Sequence, residues 1–447
     1  MKKIYIYLLF NCFLLKAFSQ NNWEAVGGGM NGTVLDLVSD TVNNKLYAGG
    51  SFTFSGSEFT PYISVWDGTK WAGLGTGMNG PVHALCMYKG NLYAGGRFTT
   101  AGGVNAKNIA KWNGTSWEAL GSGVDSTVYC LKTFANELYI GGVFKKSGTT
   151  QTGYLVKCND STIQKVGTTT TSGLISQYSS ANWQGVYDLQ VFKNNLYLVG
   201  FFDSLNHVRC YPLLKYDGFN YSNIITGWNG IFSAGVYKNN IYFAPEGLVQ
   251  AYDGSSFQPI YFQYESFNEM WDMLEYKNKL ILAGTYSNID NNSSKKYITT
   301  FDGSTISLLG NSINNGVRAV EIYNGDIFIG GRFTNVSNSA TDNIAKISGE
   351  IITGNNETKY TDLGLKILQS SNNHFIVKNT TNIERSNFPV EIELINTNGN
   401  VVYSGQFQET NNDISFKTKE QLSTAIYFVR ITNNQGTLLN ISKFFVK

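Results

Sequence analysis

Apolar and polar residues alternate along most of this chain with the period of two that a half-buried β-strand requires. No window carries a sustained helical period. One alternating unit recurs. Leu92-Tyr93-Ala94-Gly95-Gly96-Arg97-Phe98 returns as Leu46 to Phe52, Leu138 to Phe144, Leu196 to Phe202 and Ile327 to Phe333. Two eroded copies begin at Ile241 and Leu280, so the leading residues fall at 46, 92, 138, 196, 241, 280 and 327. Self-similarity at such a period predicts a repeat architecture.

Each full copy reads as four strands. The first is a short apolar strand such as Val82 to Tyr88, Val128 to Phe134, Val186 to Phe192 or Val317 to Tyr323. A two-residue turn follows, expected at Lys89-Gly90, Asn194-Asn195, Asn239-Asn240 and Asn324-Gly325, pairs that tolerate positive φ. The strand with the double glycine comes next, where missing side chains let a neighbouring backbone approach or the strand bend. A polar loop then leads to a third strand, Ile63 to Trp66 or Ile109 to Trp112. An Asp-Gly or Asn-Gly turn leads on to a fourth strand carrying Trp71 or Trp117.

Four antiparallel strands repeated radially describe a β-propeller blade, and seven hairpins imply seven blades. Residues 23 to 29 match a fourth strand with no third strand before them, while the last copy stops after Ile344 to Ile347. The N-terminal strand is therefore expected to complete the seventh blade and remove two sheet edges. Blade five is short of its 2–3 loop between Ala244 and Val249. The Ser/Thr-rich connection from Thr168 to Ala181 before blade four is longer than the others.

After Ile352 the repeat stops. Residues 353–362 read as a polar linker, and 363–447 as six or seven short strands with a hairpin signal at Asn398-Gly399. The expected architecture is all-β: a seven-bladed propeller over 20–352 and a small C-terminal β-sandwich. Residues 1–19, with Lys2 and Lys3 before an apolar run from Ile4 to Leu15 and small residues near Ser19, have the layout of a signal peptide. That run is short for a membrane span, so no transmembrane anchor is expected once it is removed.

Two family resemblances follow from these residues. Gly95-Gly96, Trp112 and Trp117 stand where kelch and galactose-oxidase-like propellers carry their double glycine and aromatics. Leu394 to Val402, Leu422 to Ile431 and the closing Ser442 to Lys447 resemble the C-terminal sorting domain of the bacterial type IX secretion system. Two positions depart from that family: its Asn-Pro opening is absent, and Ala425 stands where it usually has Gly. The second resemblance implies export from a Gram-negative cell to its surface or medium, the type IX machinery as a partner, and a sorting signal that includes Gly399, Tyr427, Lys443 and Lys447.

Composition narrows function by exclusion. Removing Lys2, Lys3 and Lys16 takes the formal charge from +2 to about −1, which gives no electrostatic reason to expect nucleic acid or an anionic membrane. Cys86, Cys130, Cys158 and Cys210 match no disulfide framework and read as buried free thiols. A galactose-oxidase-like copper site needs paired histidines. Only His83, His207 and His374 exist, so no metal or cofactor is expected. No GxSxG, HExxH, phosphate-loop or dinucleotide fingerprint is present.

One column of the repeat varies. Its second first-strand residue is Leu35, His83, Tyr129, Tyr187, Phe232, Trp271 or Arg318, and the third includes Asp36, Asp188 and Asp272. Because side chains along a strand alternate, only one of the two sets is expected to face the central channel, and inter-blade packing is the expected role of the aromatics. The competing reading is a platform for a sugar or peptide. Function is expected to be ligand binding, to a glycan or a protein, without catalysis. The alternative is a polysaccharide hydrolase or lyase using Asp36, Asp188, Asp272 or His83.

Overall fold

Each copy of the repeat folds as a four-stranded antiparallel sheet. In blade two the strands Asn91–Gly96 and Ile109–Trp112 lie between Val82–Tyr88 and Trp117–Ala119. The computed structural model describes residues 23–167, most of 174–348 and the strands between 366 and 446. It divides into two compact units, Met1–Ile352 and Thr353–Lys447. The first is a seven-bladed propeller. The first strands of consecutive blades pack side by side, and Val317–Tyr323 of blade seven closes on Val34–Asp40 of blade one.

The N-terminal strand Glu24–Ala25 closes blade seven as its fourth strand, with Glu24 opposite Lys346 and Ala25 opposite Ala345. Burial of Trp23, Val26 and Met30 anchors it. Asn343 donates its side-chain amide to the Met30 carbonyl at 2.7 Å.

The double glycine serves two neighbours. Every first strand has an irregular register near its start, for example between Val82 and Ala84, and the second glycine lies opposite that irregularity. A Cβ on Gly96 would run into the carbonyl oxygen of Pro81, and one on Gly50 into that of Thr33. The first glycine instead admits the next blade. A Cβ on Gly95 would collide with the Val128 side chain, and one on Gly49 with Val82. Bulge and blade packing thus both demand glycine here.

Two turns are placed one residue earlier than the pattern predicts. The turns are Lys193-Asn194 and Lys238-Asn239, because Phe192 pairs with Asn195 and Tyr237 with Asn240. Lys193 and Lys238 take positive φ, at 46° and 52°. Their ammonium groups lie 5.2 and 4.8 Å from the rings of Phe192 and Tyr237, a contact that offsets part of the strain. Tyrosines at the same end tie blade to blade. The hydroxyls of Tyr88, Tyr237 and Tyr323 donate to the carbonyls of Asn136, Asn278 and Asn44 in the next blade. Trp71 and Trp117 donate their indole N–H groups to Val26 and Leu74, one blade back.

Among the described residues the second unit is a sandwich of two sheets, of three and four strands. One sheet contains Lys366–Ser371, His374–Lys378 and Ile414–Lys417. The other runs Val401–Phe407, Val390–Asn396, Ala425–Asn433, Leu438–Val446. Phe375 and Phe416 of the first sheet stack, and Phe416 meets Tyr403 of the second with ring centroids 4.5 Å apart. Tyr427 and Lys443 lie in its two last strands. Gly399 and Lys447 fall outside the described residues, as do residues 1–19, the 353–362 segment and His207.

Candidate functional site

The first strands surround a channel with a cavity of about 1290 Å³. Leu35, His83, Tyr129, Tyr187, Phe232, Trp271 and Arg318 line it, and each is half-buried. Asp36, Asp188 and Asp272 line it as well. Strict alternation would turn one of these two sets away. The bulge overturns that expectation: an extra residue in the first strand lets two consecutive side chains lean the same way.

Tyr129, Tyr187, Phe232 and Trp271 form an aromatic arc through blades three to six, flanked by His83 of blade two and Arg318 of blade seven. His83 meets Tyr129 edge-on at 5.0 Å, and Tyr129 stacks on Tyr187 at 4.9 Å with planes 11° apart. Phe232 contacts Tyr187 and then Trp271 at 5.2 Å. The guanidinium of Arg318 lies 3.5 Å from the centre of the Trp271 ring. The side chains therefore pack on one another around the ring while keeping a face toward the channel. Packing on a neighbour and lining the channel are thus compatible at these positions.

Four further residues at the mouth were not singled out by the sequence pattern. Ser51, Arg97, Phe201 and Arg332 follow the double-glycine position and line the same cavity. A signal for them exists: the residue after that position is Ser51, Arg97, Val143, Phe201, Thr285 or Arg332, while its neighbours stay nearly constant. Burial, then Arg97 and Arg318, hold the His83 imidazole down to about 4, so it is neutral near pH 7. Burial and the nearby Arg332 lower the Arg318 guanidinium to about 10, opposed by Glu269, and it stays charged.

Deeper in the channel the aspartates bind main chain. The first strand is an edge strand of each blade, so some of its N–H groups have no ladder partner. Asp36 accepts from Leu37 at 2.8 Å and from Leu85 of blade two at 2.6 Å. Asp188 accepts from Leu189 at 2.7 Å and from Ala234 of blade five at 2.8 Å. Asp272 accepts from Val320 of blade seven at 2.8 Å. The three carboxylates are clasps across three inter-blade seams. Among the described residues no group of three His, Cys, Asp or Glu side chains is arranged to hold a metal ion. Among the described residues Cys86, Cys130, Cys158 and Cys210 are free thiols, with Cys86 only half-buried.

Burial raises these acids. Asp36 is pushed well above the usual carboxylate range, Asp188 up to about 6 and Asp272 up to about 7. Desolvation comes first in each case, opposed by the backbone donors. Glu321, which accepts from the Ser39 hydroxyl at 2.7 Å, is also raised by burial, to about 7. The three aspartates are half-buried and line the channel.

A carboxyl that holds its proton more tightly when folded stabilises the fold at low pH. That contribution falls away as pH rises from the ordinary carboxylate range, about 4, through about 7. Melting temperature should therefore decline between about pH 4.5 and 7.5 and level off above. Asp272→Asn keeps an acceptor for the Val320 N–H and should flatten part of that decline. Asp272→Ala leaves the N–H unpaired and should cost about 1–3 kcal/mol at any pH in this window. Equal melting curves for the two variants would remove the clasp role.

No curated protein matches the sequence. Among solved structures, PorZ of Porphyromonas gingivalis, a bacterial surface component of the type-IX secretion system, is 12% identical, with a TM-score of 0.47. The match covers 95% of this chain and 60% of that one. The extracellular domain of the putative hybrid two-component system BT4673 from B. thetaiotaomicron is 12% identical over 93% of this chain and 53% of that one, TM-score 0.49. A fungal copper alcohol oxidase of the AA5 family is 11% identical over 95% and 99%, TM-score 0.33. The chain thus spans little more than half the length of the first two, and at such identities and scores none lends it a function. Residues 371–447 match the family described as the secretion system C-terminal sorting domain, and the chain is an exported protein, carried by type IX secretion to the outer surface or into the medium.

Proposed function

We propose that the propeller is a glycan-binding module of kelch and galactose-oxidase-like type, displayed or released by its sorting domain, with the ligand held at the channel mouth. The observation that carries this reading is the aromatic arc. Tyr129, Tyr187, Phe232 and Trp271 turn half-exposed rings to a cavity of oligosaccharide size. Aromatic faces carry negative charge density that attracts the C–H groups on the apolar face of a pyranose ring. A protein ligand is the alternative within the same class.

The second reading, a polysaccharide hydrolase or lyase, draws on the raised carboxyls of Asp188 and Asp272. Against it stands the engagement of these carboxylates by main-chain N–H groups, which leaves them poorly placed to exchange a proton with a substrate. A glycan array followed by a reducing-sugar release assay on every bound glycan separates the two, since turnover of a bound glycan would establish the enzyme.

Tyr187→Ala and Trp271→Ala sharpen the test. A fully buried ring costs about 3–5 kcal/mol when cut to alanine. These half-exposed rings should cost roughly half of that and lower glycan affinity at least about tenfold. Melts and titrations of the two variants check this. Large destabilisation with unchanged affinity would return the arc to packing alone.

A further inference from the structure

The mouth has two unlike sides. Blades three to six carry the aromatic arc, whereas blade seven carries Arg318 and Arg332 and blade two carries Arg97, on either side of blade one with its Leu35 and Ser51. The chain is sparing with arginine. Residues 1–352 contain only Arg97, Arg209, Arg318 and Arg332, and basic positions elsewhere in the propeller are lysines. Three of these four arginines line one cavity. Among the described residues none of the three is in an ion pair, and the pairs present, such as Lys157 with Glu137, use lysine. The Nε of Arg318 is buried with no hydrogen-bond partner, and so is the indole N–H of the Trp271 ring it covers.

Three like charges gathered at one mouth repel one another, and an unpaired buried donor costs free energy. The lowered Arg318 guanidinium is one sign of that repulsion, since burial and Arg332 both disfavour its charge. Glu269 is the acid acting against them from the cavity wall. Guanidinium groups are planar forks that match a carboxylate with two parallel hydrogen bonds, which an ammonium cannot do.

We infer that the ligand is an acidic oligosaccharide, with a uronate carboxylate held by Arg97, Arg318 and Arg332 and a neighbouring pyranose ring stacked on Tyr187 and Trp271. This inference rests on the glycan-binding reading and adds the charge of the glycan to it. Arg97 and Arg332 are exposed and follow the rigid double glycine, so they reach the carboxylate from the rim, while Arg318 sits in the wall below. The neutral His83 beside them supplies a donor and an acceptor for hydroxyls without adding charge. The attraction is screened by salt, so affinity should fall as ionic strength rises.

The test titrates the whole protein with short oligomers of galacturonate, glucuronate and mannuronate, with their methyl esters, with neutral oligomers of the parent sugars, and with poly-glutamate. The expected result is binding of at least one uronate oligomer and at least about tenfold weaker binding of its ester. The double substitution Arg97→Gln with Arg332→Gln, at exposed positions, should lose the same factor without a change in melting temperature. Arg318→Gln should lose at least as much affinity, and its melting curve separates loss of the ligand contact from loss of the Trp271 stack. Equal binding of acid, ester and neutral sugar, untouched by the double substitution, overturns the acidic ligand and leaves the glycan-binding reading standing. Binding of none of the sugars overturns both. Tighter binding of poly-glutamate than of every uronate also overturns both, and would identify an acidic peptide as the ligand.

Discussion

Deleting Asn21 to Gly29 should leave a chain that aggregates, or melts more than 10 °C or so below the parent. Several losses act together. Trp23 is buried between the last two blades among Leu309 and Ile347, and removing such a ring alone costs about 3–5 kcal/mol. The pairing of Glu24 and Ala25 with Lys346 and Ala345 disappears, so the strand Ile344–Ser348 becomes an exposed sheet edge. Trp71 loses the Val26 carbonyl that accepts its indole N–H at 3.2 Å. Because the ring of blades is closed, a gap at one seam also frees its neighbours. Since the indole N–H of Trp23 has no partner, Trp23→Phe should cost far less than Trp23→Ala. Melts of the deletion and of the two point variants check the scheme. An unchanged melting temperature for the deletion would mean that the closing strand contributes nothing.

Removal of Lys443 to Lys447 should trap the protein in the periplasm of a type IX-competent host. These residues include the end of the sandwich strand Leu438–Val446, which pairs with Ala425–Asn433 along nearly its whole length. The truncation therefore takes both the terminal lysines and the last rungs of an edge ladder. Fractionation of cells expressing the whole chain and the truncated one gives the answer. A fusion of residues 363–447 behind an export signal should carry a folded reporter to the surface or medium. Normal export of the truncated chain would detach the tail from its address function. Loss of export together with loss of the sandwich fold, seen by proteolysis, would show that structure rather than the lysines carries the signal.

Much of the fold could be read from local pattern. The strand Ile109–Trp112, the turn at Lys89-Gly90 and the short blade-five connection all lie where alternation and turn chemistry put them. Closure by residues 23–29 was legible because a fourth strand without a third has only one place to pair. The turns at Lys193-Asn194 and Lys238-Asn239 were missed by one residue. Asparagine is the usual tenant of positive φ, and the ring under each lysine makes that conformation tolerable for lysine instead.

The site was only half legible. The variable column of His83, Tyr129, Tyr187, Phe232, Trp271 and Arg318 stood out because its neighbours repeat and it does not. Its orientation did not. Whether Tyr187 and Asp188 both reach the channel depends on a bulge opposite Gly200, and a bulge is fixed by the pairing of two strands, not by either one. The clasp role of Asp36 likewise needs Leu85, 49 residues away and in another blade.

Sequence alone therefore determined the number of blades, the order of strands within each, the closing strand and the route of export, because period, turn residues and terminal motifs are local properties of the chain. Tertiary structure alone decided which side chains share the channel, that the aspartates hold blades together, and that three arginines line the same cavity as an aromatic arc. Those facts depend on the angle through which seven sheets are turned about one axis, and no stretch of sequence shorter than the whole ring contains it.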